Sequence, residues 1–345
     1  MIEAEVSEEQ AQRGRAPSIR DVARLAGVSH QTVSRVLNHH HSIRPETKQR
    51  VLDVMAELQY KPNRAARALV TSRSRTIGVL SASSTQYGAA STIAAVEAAA
   101  RVAGYWVTTA NIEASDAASI ADGLAHLAAQ GIEGLVVIAP QVRVFETLSE
   151  LSIDVPYVTM QAAGHEAGRT LSVDQIAGAR LATRHLISLG HRNIYHLAGP
   201  QDWIEAEARM RGFLEEMSAQ DVATTAPILG DWTADFGYHA GRELLTVRDF
   251  TAIFASNDQM AIGLMHAVRD AGLDIPGDVS IVGFDDIPEA AHVWPPLTTV
   301  RQDFAELGRR CVARLLGDRD PEAAQALETI TPELIVRDST GRPAF

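Results

Sequence analysis

The chain has 345 residues, length enough for two or three domains with cores of their own. With 46% hydrophobic and 21% charged residues it reads as a globular protein, and no apolar run reaches the length that spans a bilayer, so a membrane role is excluded. The formal net charge of −12 hides a split: residues 11–75 hold 13 Lys and Arg against four acidic residues, whereas residues 76–345 hold 18 against 35, so one small module is the expected site of phosphate contact.

Residues 1–16 are acidic and polar and lack the apolar stretch of a signal peptide. A disordered tail and a cytoplasmic location are expected. The lone Cys311 allows no intrachain disulfide. Ile19, Val22, Ala23 and Ala26 recur at helical spacing, and Gly27 follows where a chain leaving a helix needs positive φ. Ser29 is the expected N-cap of a second helix that buries Val33, Val36 and Leu37 and turns His30, Gln31, Thr32, Ser34 and Arg35 outward. Two short helices about a tight turn, the second with a polar outer face, are what a helix-turn-helix offers to the major groove. The run His39 to His41 has no Cys or acid at ligand spacing, so a solvated loop is expected and no metal. Pro45 starts a third amphipathic helix with Val51, Val54, Met55 and Leu58 inward.

Asp21-Val-Ala, Ala26-Gly-Val-Ser and Thr32-Val-Ser-Arg-Val-Leu-Asn38, followed by Pro62-Asn-Arg-Ala-Ala-Arg-Ala-Leu69, resemble the headpiece and hinge helix of the LacI/GalR family of bacterial repressors. The resemblance runs from about residue 17 to 340. It implies that His30, Gln31 and Arg35 read base edges, Gln31 through its amide and Arg35 by a fork onto guanine. Thr32, Ser34 and Asn38 are expected on phosphates. In the hinge, Asn63 is a candidate N-cap, Arg64 and Arg67 supply charge, and Ala66 with its neighbouring alanines keeps the helix slim enough for two copies to share a minor groove. Leu69 would then be the wedge that unstacks a base step. Two wedges require a homodimer on a pseudo-palindromic operator.

Residues 70–75 read as a linker. Beyond them, short β-rich runs (76–80, 105–109, 134–138, 156–159, 193–198, 252–255, 279–284) alternate with helical stretches (90–103, 177–189, 205–217, 258–271). Such alternation predicts parallel sheets of βαβ units in two Rossmann-like lobes. There is no G-x-x-x-x-G-K-[ST] loop, and no G-x-G-x-x-G follows a strand, so a ligand-binding scaffold is expected, without enzyme activity and without a cofactor. The resemblance implies an all-α headpiece (17–62), a hinge and linker (63–75), and an α/β effector domain of the periplasmic-binding-protein type I fold (76–345). Lobe one would take about 76–165 plus 302–330, and lobe two about 172–298 with the C-terminal segment. Three crossings are expected, near 161–174, 298–304 and 332–336.

A sugar needs planar polar groups that form forks and an aromatic platform. By resemblance, Arg209 holds adjacent hydroxyls, Trp232 stacks, and Asn257 with Asp285 completes the fork. Gln302 and Phe304 are placed on a crossing strand at the cleft. Trp203 and Glu205 stand where the purine-responsive branch carries an arginine and a threonine. Tyr87 and Gln161 extend the site towards a second sugar unit. Asp258, Asp286 and Asp303 are read as structural. The resulting expectation is a homodimeric repressor of carbohydrate-utilisation genes, on the nucleoid when DNA-bound, released by a disaccharide such as a β-galactoside or β-glucoside. The alternative is a corepressor-type regulator. No heptad-patterned helix follows residues 332–339, so a tetramer is not expected.

Overall fold

A computed structural model describes residues 17–37, 42–60, 73–82, 85–139, 141–160, 170–317 and 329–344. Asn38, His39 to His41, Asn63, Arg64, Ala66, Arg67, Leu69 and Gln161 lie outside the described residues. The chain divides into two units, residues 1–74 and 75–345.

The first unit contains α1 (Ile19–Leu25), α2 (His30–Leu37) and α3 (Pro45–Glu57). The Asp21 carboxylate accepts the Ser18 N–H at 2.9 Å at the start of α1. Gly27, at φ +63°, reverses the chain where a Cβ would be strained. The Ser29 hydroxyl then accepts the Thr32 N–H at 3.1 Å and opens α2. Val22, Val33 and Val51, one from each helix, are wholly buried and form the centre of this small core.

The second unit contains two parallel-sheet lobes. In chain order its elements are β1 (Thr76–Ala82), α4 (Tyr87–Val102), β2 (Trp106–Ile112), α5 (Ala117–Ala129), β3 (Gly134–Ile138), α6 (Val142–Glu150), β4 (Tyr157–Met160), β5 (Thr170–Val173), α7 (Gln175–Ser188), β6 (Ile194–Ala198), α8 (Ile204–Ala219), β7 (Ile228–Leu229), α9 (Ala234–Val247), β8 (Ala252–Ala255), α10 (Asp258–Asp270), β9 (Ser280–Asp285), β10 (Thr298–Arg301), α11 (Phe304–Leu316), β11 (Thr329–Ile330) and β12 (Glu333–Ile335). One sheet runs β11-β5-β4-β3-β1-β2 and the other β12-β10-β9-β8-β6-β7. Among the described residues, β10–β12 is the one antiparallel pair of strands. Strands such as β3 and β8 are buried at every residue because helices cover both faces. In lobe one, α4 and α11 pack on one face and α5 with α6 on the other. In lobe two, α7 and α8 cover one face and α9 with α10 the other.

The pairing places β5 in the first sheet and β10 in the second. Lobe one therefore continues to Val173 and lobe two to Arg301, a few residues beyond the boundaries read from the sequence at 165 and 298. The chain passes between lobes at Asp174, at Gln302–Asp303, and between β11 and β12.

Candidate functional site

The two units each carry a candidate site. On α2, His30, Gln31 and Arg35 are exposed, and Thr32 and Ser34 are partly buried. The Thr32 hydroxyl lies 2.9 Å from that of Ser29, within the cap of the helix. Val33 and Val36 hold the opposite face to the core. The helix thus presents an amide, an imidazole and a guanidinium on one solvent-facing side.

In the second unit, a cleft between the lobes is lined by nine of the ten residues expected there: Tyr87, Trp203, Glu205, Arg209, Trp232, Asn257, Asp285, Gln302 and Phe304. The tenth, Gln161, is outside the described residues. Strand ends and helix starts place them because in a parallel sheet the C-terminal edge faces the crevice. Gln302 and Phe304 do not lie on a strand, as read from the sequence. β10 ends at Arg301, and the Asp303 carboxylate accepts the Glu306 N–H at 2.8 Å, so Phe304 opens α11.

The floor of the cleft is a closed ring of side chains. Arg209 Nε donates to Gln175 Oε1 at 2.8 Å, Gln175 Nε2 to Gln302 Oε1 at 2.9 Å, and Gln302 Nε2 to Asp285 Oδ1 at 2.7 Å. Arg209 Nη2 closes it, 3.5 Å from Asp285 Oδ1. Arg209 also donates to the Ser256 carbonyl and lies 3.9 Å above the Phe284 ring. All four ring members are buried. Gln175 was not singled out in the sequence; its only signal is its place after Asp174, at the first crossing.

The aromatic walls meet at an angle. Trp203 and Trp232 are edge to face at 5.5 Å, and Tyr87 meets Phe304 edge to face at 6.0 Å. Trp232 lies across Gly199, where a Cβ would come within 2.2 Å of the indole. Asn257 is partly engaged within the protein. Its Oδ1 accepts the Met260 N–H at 2.9 Å as the cap of α10, and its Nδ2 donates to the Trp232 carbonyl at 2.9 Å. It therefore holds the tryptophan segment in place. Trp232 (φ +74°), Asp285 (φ +112°) and Asp286 (φ +55°) all occupy positive φ, strain of the sort that concentrates at binding sites.

Burial dominates the electrostatics. It pushes Asp285 up to about 6, against the pull of Arg209 and Gln302, and Glu205 up to about 7, against its own N–H and Arg209. It also lowers Arg209, opposed chiefly by Asp285. Asp258, behind Asp285, is raised well above its usual value by burial, although it accepts from Thr299 Oγ1 at 2.5 Å and from the Ile287 N–H at 2.8 Å. Beneath Arg209, burial lowers His196 to about 4, so its ring is neutral. It stacks between Phe213 and Phe254 and donates from Nδ1 to the Phe254 carbonyl. Asp286 is paired with Arg301 and Arg337, which makes it structural. Among the described residues, three buried polar atoms at the cleft have no partner: Trp232 Nε1, Glu205 Oε2 and Ser172 Oγ. Among the described residues no His, Cys, Asp and Glu cluster is placed to hold a metal ion.

Both units match known protein families. Residues 18–63 match the model for bacterial regulatory proteins of the lacI family, and residues 183–340 that for a periplasmic binding protein-like domain. The chain is 33% identical over 329 residues to the lactose operon repressor of Escherichia coli K12, covering 94% of this chain and 90% of that one. It is 34% identical to the transcriptional repressor PurR of Mannheimia succiniciproducens (95% and 99% covered) and 35% identical to the transcriptional regulator CelR of Thermobifida fusca (89% and 93%). Among solved structures, the lac repressor dimer bound to operator and the anti-inducer ONPF superposes with a TM-score of 0.84 at 32% identity, covering 95% of this chain and 100% of that one. A CelR–cellobiose complex gives 0.67 at 29% identity, with 94% and 99% covered.

Proposed function

The chain belongs to the lacI family of bacterial regulatory proteins, a transcriptional repressor that binds operator DNA as a dimer together with a small-molecule effector, and from that premise we propose that its effector is a sugar inducer. The genes it represses are those of carbohydrate use, and the inducer is a disaccharide of the β-galactoside or β-glucoside kind. The observation that carries this reading is the Trp203–Trp232 corner beside the Arg209–Gln175–Gln302–Asp285 ring. An aromatic corner fits the C–H face of a pyranose, and rigid planar donors and acceptors fit hydroxyls at fixed angles. The lactose operon repressor and the cellobiose complex of CelR, both similar throughout, support a disaccharide.

On the DNA side, His30, Gln31 and Arg35 read bases, and Thr32, Ser34 and Asn38 fix register on phosphates. Asn63, Arg64, Ala66, Arg67 and Leu69 are assigned in this reading to minor-groove contact, with Leu69 as the wedge. Sugar binding disfavours the DNA-competent state, which is allostery as coupled binding worth about 1–3 kcal/mol.

Similarity to PurR raises a second reading, in which ligand strengthens operator binding. A thermal-shift screen of mono- and disaccharides and purines, followed by operator gel shifts with each hit, separates the two. A disaccharide that raises the melting temperature and releases operator is expected. A purine that tightens the complex would replace this reading with the second.

A further inference from the structure

Resting on the sugar reading, we infer that the effector carries a protonated amino group seated against Glu205, so that the ligand class is an aminated disaccharide. Glu205 stands on the first turn of α8, two residues after Trp203, and lines the cleft. Its Oε2 is shielded from solvent and has no hydrogen-bond partner. The cation one turn on, Arg209, is already occupied by Gln175, the Ser256 carbonyl and Asp285. Among the described residues, the cleft lining holds two carboxyl groups, Glu205 and Asp285, against one guanidinium. With both ionised, one negative charge is left unbalanced in a buried site.

The surroundings favour a cation as the missing partner. Burial raises both carboxyls, Glu205 to about 7 and Asp285 to about 6, so a cation brought beside Glu205 would favour its ionised form. The N-terminus of α8 favours the ionised form of Glu205 but supplies no donor to Oε2. Among the described residues, the other titratable groups that line the cleft or lie behind it supply no cation. Tyr87, from α4, is raised by burial and stays neutral. Asp258, from α10, is held by Thr299 and the Ile287 N–H. His196, from β6, is neutral below Arg209. An ammonium gives a carboxylate a bond with charge on both partners, stronger than the bond a neutral hydroxyl gives. The Trp203–Trp232 corner supplies π faces that attract a cation and the adjoining C–H face of a sugar. Trp232 Nε1, also without a partner, is left to donate to a ring hydroxyl.

The test is titration calorimetry on the full-length protein with three β-linked probes: a glucosamine disaccharide, its N-acetylated form, in which the charge is removed, and cellobiose. The amine is expected to bind about tenfold or more tighter than either neutral probe near pH 7. Glu205→Gln should abolish that preference, bringing the amine and its N-acetylated form to within about twofold of each other. On wild type, the preference should shrink as the pH is lowered from about 7 to about 5 and Glu205 takes up a proton, a readout that needs no variant. Equal or tighter binding of cellobiose, or a preference that survives in Glu205→Gln or at low pH, overturns the amine but leaves the sugar reading standing. Failure of all three probes, with hits only outside the sugars, overturns both.

Discussion

Arg209 concentrates the polar chemistry of the cleft. Its guanidinium bonds to Gln175, to the Ser256 carbonyl and to Asp285, with its face against Phe284. Arg209→Ala leaves Asp285 buried without its cation, and Asp285→Ala leaves Arg209 and Gln302 without an acceptor. Each should cost about 2–4 kcal/mol of effector affinity, since an unpaired buried charge carries its full desolvation cost. Trp232→Ala should cost less, because only stacking and apolar burial are lost. Calorimetry with the best ligand of the screen gives all three values, and wild-type affinity in both charge variants would remove the ring from the site. Arg209, Trp232 and Asp285 were legible in the sequence because each sits in a short local motif. The bond between Gln175 and Gln302 was not, since it joins residues 127 apart at two separate crossings and depends on how the lobes are connected. Asn257 was legible as a cleft residue, and the structure adds a capping role that the sequence did not show. The cap of α10 and the Trp232 carbonyl claim its amide, and no sequence pattern distinguishes a capping asparagine from a ligand-binding one.

At the scale of elements, helices with strong apolar contrast were found close to their true ends: 258–271 was expected and Asp258–Asp270 is observed. The short strands β5 and β11 gave no readable period, which is why the lobe boundaries shifted by several residues. What joins α7 to α8 was also invisible in the sequence. The Glu216 side chain is fully buried and accepts from Arg184 Nε at 2.7 Å, Arg184 Nη2 at 2.8 Å and Arg180 Nε at 3.0 Å. These donors hold its carboxyl down at about 2. A carboxyl lowered in the folded state stabilises at pH above its unfolded value, and that stability is lost as pH falls through the folded value. Glu216→Gln should therefore lower unfolding stability by about 1–2 kcal/mol near neutral pH, a figure reduced because both arginines are about half exposed to solvent. The gap to wild type should close between about pH 5 and pH 2. Urea melts across that range give the answer, and a gap independent of pH would mean that the effect is packing, not charge.

Over the whole molecule, the charge division separates two tasks. Residues 11–75 carry a net +9 and residues 76–345 a net −17. The acidic unit repels phosphate, so attraction to DNA must come from the basic one, and it must act through released counterions. A dimer that neutralises about six to ten phosphates should show log K falling against log salt with a slope of roughly −5 to −9. Arg35→Ala tests how that affinity is divided. If Arg35 forks onto guanine, the variant loses about 1–3 kcal/mol on the operator only at one base pair per half-site, and binding to unrelated duplex is unchanged. If it touches phosphate, all sequences weaken alike and the slope becomes shallower by about one for each copy. Saturating sugar should lower operator affinity by about 5–150-fold, the span of a coupling of about 1–3 kcal/mol. It should also flatten the slope if the induced state gives up phosphate contacts. A slope near zero in the free protein would show that the basic unit is not the DNA-binding surface.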